Sequence, residues 1–238
     1  MSMSETAKLG LPLVQPAQAQ KHVTVNDAFQ RLDAFAQISI DTVGVTIPPL
    51  APVDGELHAI GSGAVADWAG HDGELGLFLN AGWLFVQPDV GWRGWRLDAA
   101  SAVTFDGVDW VEGGGAFTQN GAGFVHRSIE SDHAVATGAT SVLTGFIPAN
   151  AMVYGVTGLV LTDIGGAASL EIGVTGSTNR YGSGIGVSTG SWARGLTGNP
   201  LAYYSPTDLI LTPTGGSFDG SGTIRLAVHF AELTLPRA

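Results

Sequence analysis

One amphipathic segment near the start of the chain, with nothing like it afterwards, constrains the fold more than any other feature. Thr24 to Ile40 reads T-V-N-D-A-F-Q-R-L-D-A-F-A-Q-I-S-I. Ala28, Leu32, Phe35 and Ser39 form one stripe and Phe29 and Ala36 widen it, close to the i, i+3/i+4, i+7 pattern of a helix. Thr24 is the expected N-cap, with Asp27 three residues on as a shortened capping box. Asp27 precedes Arg31 by four residues, the favourable order for a helical ion pair. The helix is expected to end near Asp41, because Thr42-Val43, Gly44 and Pro48-Pro49 discourage continuation. A helix of about 16 residues spans roughly 24 Å and is marginal alone in water. Its apolar stripe therefore needs a cover, either its own sheet or copies of itself from other subunits. The second cover is the one expected.

The rest of the chain points to β-structure. Thirty-five of 238 residues are glycine, about twice the ordinary ~7% share. Charged residues make up only 13% while 45% are hydrophobic, which excludes a disordered chain and suggests surface reserved for oligomer contacts. The net charge is −11, and Lys8 and Lys21 are the only lysines. Nucleic acid is excluded as a partner, since phosphate contacts need clustered Lys and Arg. An anionic membrane surface is disfavoured for the same reason. Cysteine is absent, so there is no disulfide framework and no thiolate metal site. The stretch M-S-M-S-E-T-A-K lacks the apolar core of a signal peptide, and no apolar run is long enough for insertion into a membrane. The expectation is a protein made in the cytoplasm that leaves by lysis or within a particle.

Three segments follow from turn chemistry. Residues 1–47 read as an extended arm and a trimerising helix. Residues 48–115 read as a collar-like meander of hairpins, after a stiff Pro48-Pro49-Leu50-Ala51-Pro52 linker. Its strands are expected at Glu56–Ile60, Ala64–Trp68, Glu74–Asn80, Trp83–Gln87 and Gly91–Leu97. Residues 116–238 read as a C-terminal β-sandwich, jelly-roll-like, with strands at Met152–Asp163, Ser169–Thr175 and Thr223–Phe230. The last alternates cleanly, with Ile224, Leu226, Val228 and Phe230 on one face and Arg225, Ala227 and His229 on the other. That is the pattern of a half-buried antiparallel strand. Residues 176–222, rich in Gly, Ser, Asn, Tyr and Pro, read as loops. The fold class expected is mainly β with one short helix, in an intertwined homotrimer.

Several runs carry a resemblance. Pro16 to Thr24 leading into Arg31-Leu32-Asp33, then Gly55-Glu56-Leu57-His58, Trp68-Ala69-Gly70-His71-Asp72-Gly73, Gly82-Trp83 and Gly91-Trp92 resemble an uncharacterised domain family. That family occurs in bacteriophage and prophage structural genes and in gene transfer agents. The resemblance covers roughly residues 10–100. Ile147-Pro148, Asn179-Arg180-Tyr181-Gly182, Tyr203-Tyr204 and the closing strand resemble a distal domain often appended to it. The resemblance implies a tail-fibre or head-spike protein, trimeric, contacting a host-surface glycan, and joined to other particle proteins through its N-terminal arm. The chain lacks the repetitive shaft of long fibres.

Gly186-Val187-Ser188-Thr189-Gly190 matches G-x-S-x-G, but no helical pattern follows, as a nucleophile elbow requires. A chance match is the stronger reading in so glycine-rich a chain. His22, His58, His71, His126, His133 and His229 lack zinc-helix spacing, and His126, Asp132 and His133 are the one group that could converge. No metal and no cofactor are expected. A depolymerase would need two carboxylates roughly 5 to 10 Å apart, and no pair stands out. Binding has better support. Sugars are recognised by aromatic rings and planar polar groups, and Asn179, Arg180, Tyr181, Trp192, Arg194, Tyr203 and Tyr204 supply both. For each of Trp192, Tyr203 and Tyr204 a core or seam position is an equal alternative. For Trp68, Trp83, Trp92, Trp95 and Trp110 packing is the favoured role. The expected function is non-catalytic adhesion to polysaccharide; the alternatives are a capsule depolymerase and a purely structural adaptor or decoration protein.

Overall fold

The computed structural model describes residues 5–14, 21–118 and 120–237. The Pro- and Gln-rich run 15–20, part of the expected arm, lies outside them. The chain forms two compact units, residues 1–121 and 122–238. Among the described residues the fold is mainly β, with one α-helix near the start. Among the described residues no helix is long and apolar enough to cross a membrane.

In the first unit, helix α1 runs Lys21–Ala36. Thr24 therefore lies inside the helix and is not its cap. Asp27 and Arg31 pair as expected, at 3.1 Å, although both are exposed and such a pair adds little. The helix stops four residues short of Ile40, because Ile38-Ser39-Ile40 alternates with period two. These residues form strand β1, with both isoleucines buried. The next strand, β2 (Thr42–Val45), enters a different sheet. Asp41 makes the corner: its N–H donates to the Leu57 carbonyl at 2.7 Å and its carboxylate accepts the Leu57 N–H at 2.8 Å.

Strands β3 (Leu57–Ile60), β4 (Leu75–Leu79) and β5 (Gly82–Val86) complete the sheet β2-β3-β4-β5. Strands β6 (Arg93–Arg96), β7 (Ser101–Phe105) and β8 (Trp110–Glu112) complete the sheet β1-β6-β7-β8. Strand β9 (Gly114–Phe117) closes the unit. Ile38, Ile40, Leu57, Ala59, Leu75, Leu77 and Val103 form the core, with Ala34 of the helix buried among them.

The expected strand over Ala64–Trp68 is instead a loop ending in a 3-10 turn, Ala66–Trp68. The Asp72 carboxylate holds the loop by accepting the Gly63 and Ala64 N–H groups at 2.8 and 2.9 Å. Those two bonds keep the carboxyl below its ordinary range. Trp68 is fully buried, with its ring 5.4 Å from His58 and 5.1 Å from Trp83.

Helix α1 is not without an intrachain partner. Its Gln30 and Asp33 are buried. The Asp33 carboxylate accepts the Thr6 hydroxyl at 2.7 Å and the backbone N–H groups of Lys8 and Leu9. Asn26 exchanges hydrogen bonds with the backbone of Val14. The segment 5–14 thus covers a polar face of the helix. Ala28, Leu32 and Ala36 of the expected stripe remain exposed, together with Val25. Phe29 and Phe35 are half-buried.

The second unit is a sandwich of two antiparallel four-stranded layers. Its strands are β10 (Gly123–Ala134), β11 (Ser141–Ile147), β12 (Ala151–Thr162) and β13 (Ser169–Val174), followed by β14 (Ser177–Ile185), β15 (Trp192–Tyr203), β16 (Thr207–Thr214) and β17 (Thr223–Thr234). Within the unit the orders are β15-β12-β17-β10 and β11-β16-β13-β14, the alternation of a two-Greek-key jelly roll. Ile224, Leu226, Val228 and Phe230 of β17 face Leu170, Ile172, Leu209 and Leu211 across the core. Arg225 and His229 lie on the other face of that strand, as its alternation requires.

The stretch 176–222 is not mainly loop. Three strands occupy most of it, because its glycines serve close backbone packing as well as turns. A Cβ on Gly195 would lie 1.7 Å from the Tyr181 carbonyl oxygen, and one on Gly173 would lie 2.1 Å from that of Ser177.

Candidate binding cleft

β14 is the edge strand of one layer and β15 the edge strand of the other. A turn at 186–191 joins them. In it Ser191 N–H donates to the Ser188 carbonyl at 2.9 Å, and Gly190 N–H donates to that of Val160. The Asp163 carboxylate accepts both the N–H and the hydroxyl of Thr189 at 2.7 Å, which holds this exposed carboxyl below its ordinary range. The chain leaves this turn as strand β15 and not as a helix, so Gly186–Gly190 does not have the strand-turn-helix geometry of a nucleophile elbow.

Where β14 and β15 meet, a cleft of about 470 Å³ opens. Asn179, Arg180, Tyr181, Trp192 and Arg194 all line it. These five candidates sit on strands, not on loops. Trp192 is 67% exposed, and the Arg194 guanidinium lies 5.8 Å from its ring centre. At that range cation and ring attract weakly and constrain each other's orientation. Tyr181 is buried beneath the cleft. Its hydroxyl meets that of Tyr203 at 2.7 Å, and burial, reinforced by this bond, pushes its pKa up. Tyr181 therefore serves the core and the cleft floor together.

Two candidates fall outside the cleft. Tyr203 packs against the sandwich core and reaches the site only through the Tyr181 hydroxyl. Tyr204 is 84% exposed and belongs to a separate apolar groove, with Phe124, Met152, Leu233 and Leu235. Sequence reasoning missed Ser183, Leu196 and the glycines Gly182, Gly184 and Gly186 that also line the cleft. The density of glycine over 182–186 was the available signal, since a residue without a side chain leaves backbone accessible, as at Gly184, where an added Cβ would meet nothing within 4 Å.

The histidines are dispersed. The His133 ring nitrogen meets the Ser141 hydroxyl at 2.7 Å, His229 bridges Ser128 and Thr157, and Asp132 pairs with Arg225. Among the described residues no group of three His, Asp or Glu could hold a metal ion.

Architecturally, the molecule is a β-rich first unit followed by a jelly roll with an edge cleft. Residues 25–111 match the model of a family described as a protein of unknown function (DUF2793). The resemblance read from Gly55–His58, Trp68–Gly73 and the Gly-Trp pairs thus falls on a domain of unknown function, which ends before the second unit. No curated protein matches the chain significantly. Among solved structures, the chain is similar to one from the capsid asymmetric unit of cyanophage Pam1. The identity is 21%, the TM-score is 0.31, and the match spans 50% of this chain and 86% of that one.

Proposed function

We propose that the chain is a structural adhesin of a phage-like particle, a tail fibre or head spike, that binds host-surface polysaccharide without cleaving it. The observation that carries this reading is the convergence of Trp192, Arg194, Asn179 and Arg180 on one open cleft at the sandwich edge. An exposed indole supplies a face for sugar C–H groups at little entropy cost, and the amide and guanidinium groups supply planar hydrogen bonding. The lining favours binding over hydrolysis. None of the described residues lining the cleft is Asp or Glu, whereas glycoside hydrolysis ordinarily uses two carboxylates across the scissile bond.

In the same reading the adhesin is a homotrimer and a virion component. The outward stripe of Val25, Ala28, Leu32 and Ala36 supports this, because apolar helix faces are normally covered. Light scattering at micromolar concentration is then expected to give three times the chain mass, and a monomer removes the trimer.

Binding is tested with a glycan array and a capsule pull-down, using the wild type and Trp192→Ala. The wild type is expected to retain capsule and the variant to lose it. Equal retention by both sinks the cleft as the binding site. Shortened polysaccharide chains after incubation would replace adhesion with depolymerase activity.

A further inference from the structure

Resting on the reading of the cleft as a saccharide site, we infer that it selects acidic saccharides, with the guanidinium groups of Arg180 and Arg194 holding the carboxylate or phosphate of a sugar repeat. The charge inventory carries this inference. The chain has 21 acidic and ten basic residues, so an anionic polymer is repelled by most of its surface. Arg31, Arg96, Arg127 and Arg225 are each neutralised by a carboxylate. Arg180 and Arg194 pair with none among the described residues, and both line the same cleft, where no acidic side chain competes for them.

A guanidinium left uncompensated in a concave site suits a planar anion, because its fork matches the two oxygens of a carboxylate or phosphate. Trp192 limits the freedom of Arg194, which lowers the cost of fixing that fork when ligand arrives. Gly184, where an added Cβ would meet nothing within 4 Å, leaves room for a sugar ring against the backbone. Two guanidinium groups on a chain of net charge −11 suit one acidic group per repeat. A continuous phosphodiester track needs many more cations.

The test is titration calorimetry with three oligomers of matched length: oligogalacturonate, the same oligomer after carboxyl reduction, and poly(glycerol phosphate). At least one acidic oligomer is expected to bind about tenfold or more tightly than the reduced one, and to weaken as salt is raised. Which acidic oligomer binds better distinguishes carboxylate from phosphate. Arg180→Gln or Arg194→Gln is expected to lose about 10- to 100-fold for the acidic ligand with an unchanged denaturation midpoint. Arg194→Lys should recover only part of the loss, since it keeps the charge without the fork.

Equal binding of acidic and reduced oligomers, with both lost in Trp192→Ala, overturns the charge selectivity while leaving the saccharide cleft standing. Acidic binding that survives the double Arg180→Gln, Arg194→Gln variant also overturns it. Absence of binding to all three oligomers overturns it as well, and the wild-type glycan array then judges the underlying reading separately.

Discussion

Trp68 and Trp192 both sit near glycines, and the two units use them in opposite ways. In the first unit, Trp68 is fully buried against His58 and Trp83, and Thr42 fixes the His58 ring through a 2.8 Å hydrogen bond. In the second, Trp192 stands mostly in solvent beside Arg194. The glycines around Trp68 build the loop that brings it inward. Gly195, near Trp192, lets two backbones touch, and the alternation along β15 turns Trp192 and Arg194 outward while Ala193 is buried. The residue type is the same, but backbone packing decides whether the indole stabilises the fold or presents a surface.

That contrast can be broken experimentally, beginning where the effect is largest. Trp68→Ala removes the largest fully buried side chain among the described residues and is expected to cost about 3–5 kcal/mol. The first unit should show a lower denaturation midpoint while the midpoint of the second, and the saccharide binding proposed for it, persist. A smaller loss, within surface-mutation range, would mean that Trp68 is not an anchor. Gly195→Ala should destabilise the second unit by about 1–3 kcal/mol, because its methyl group would overlap the Tyr181 carbonyl. Urea denaturation followed by tryptophan fluorescence reads that change.

Tyr203→Phe leaves the Tyr181 hydroxyl without its partner and should cost about 1 kcal/mol. An unchanged midpoint would separate Tyr203 from the cleft floor. The pH dependence is a further effect. Burial depresses the pKa of His133, so its folded form prefers the neutral ring. The unfolded chain binds the proton more readily, and stability is therefore lost as pH falls through the ordinary histidine range, near ~6.5. The second unit's urea midpoint should drop on acidification through that range, and His133→Gln should flatten this part of the profile.

Much of this contrast was legible in the sequence. The strict alternation of Ile224 to Phe230 identified a sandwich strand, and every inward residue of that run is buried. Asn179, Arg180, Trp192 and Arg194 were grouped by type and nearness in the chain, and the β14–β15 connection places them on one cleft. What escaped was long-range. Nothing local shows that the Asp33 carboxylate accepts backbone N–H groups 24 and 25 residues away, so the burial of this polar helix face is not legible in the sequence. Ile38 and Ile40 continue a helical period as well as they begin a strand, and only the parallel register of β1 with Gly94–Arg96 decides between them. Tyr204 looked equivalent to Tyr203, but alternation along the chain sends neighbours to opposite sides.

The glycine contact between Gly195 and Tyr181 has a consequence for how such a protein can diversify. Main chain of one sheet edge lies directly against main chain of the other there. The exposed positions 179, 192 and 194 can therefore exchange side chains without moving a core atom. Under the proposed function, ligand preference can then drift from one surface polymer to another while the scaffold's folding energy stays nearly constant. A library randomised at those three positions, with Gly195 held, should yield mostly folded members.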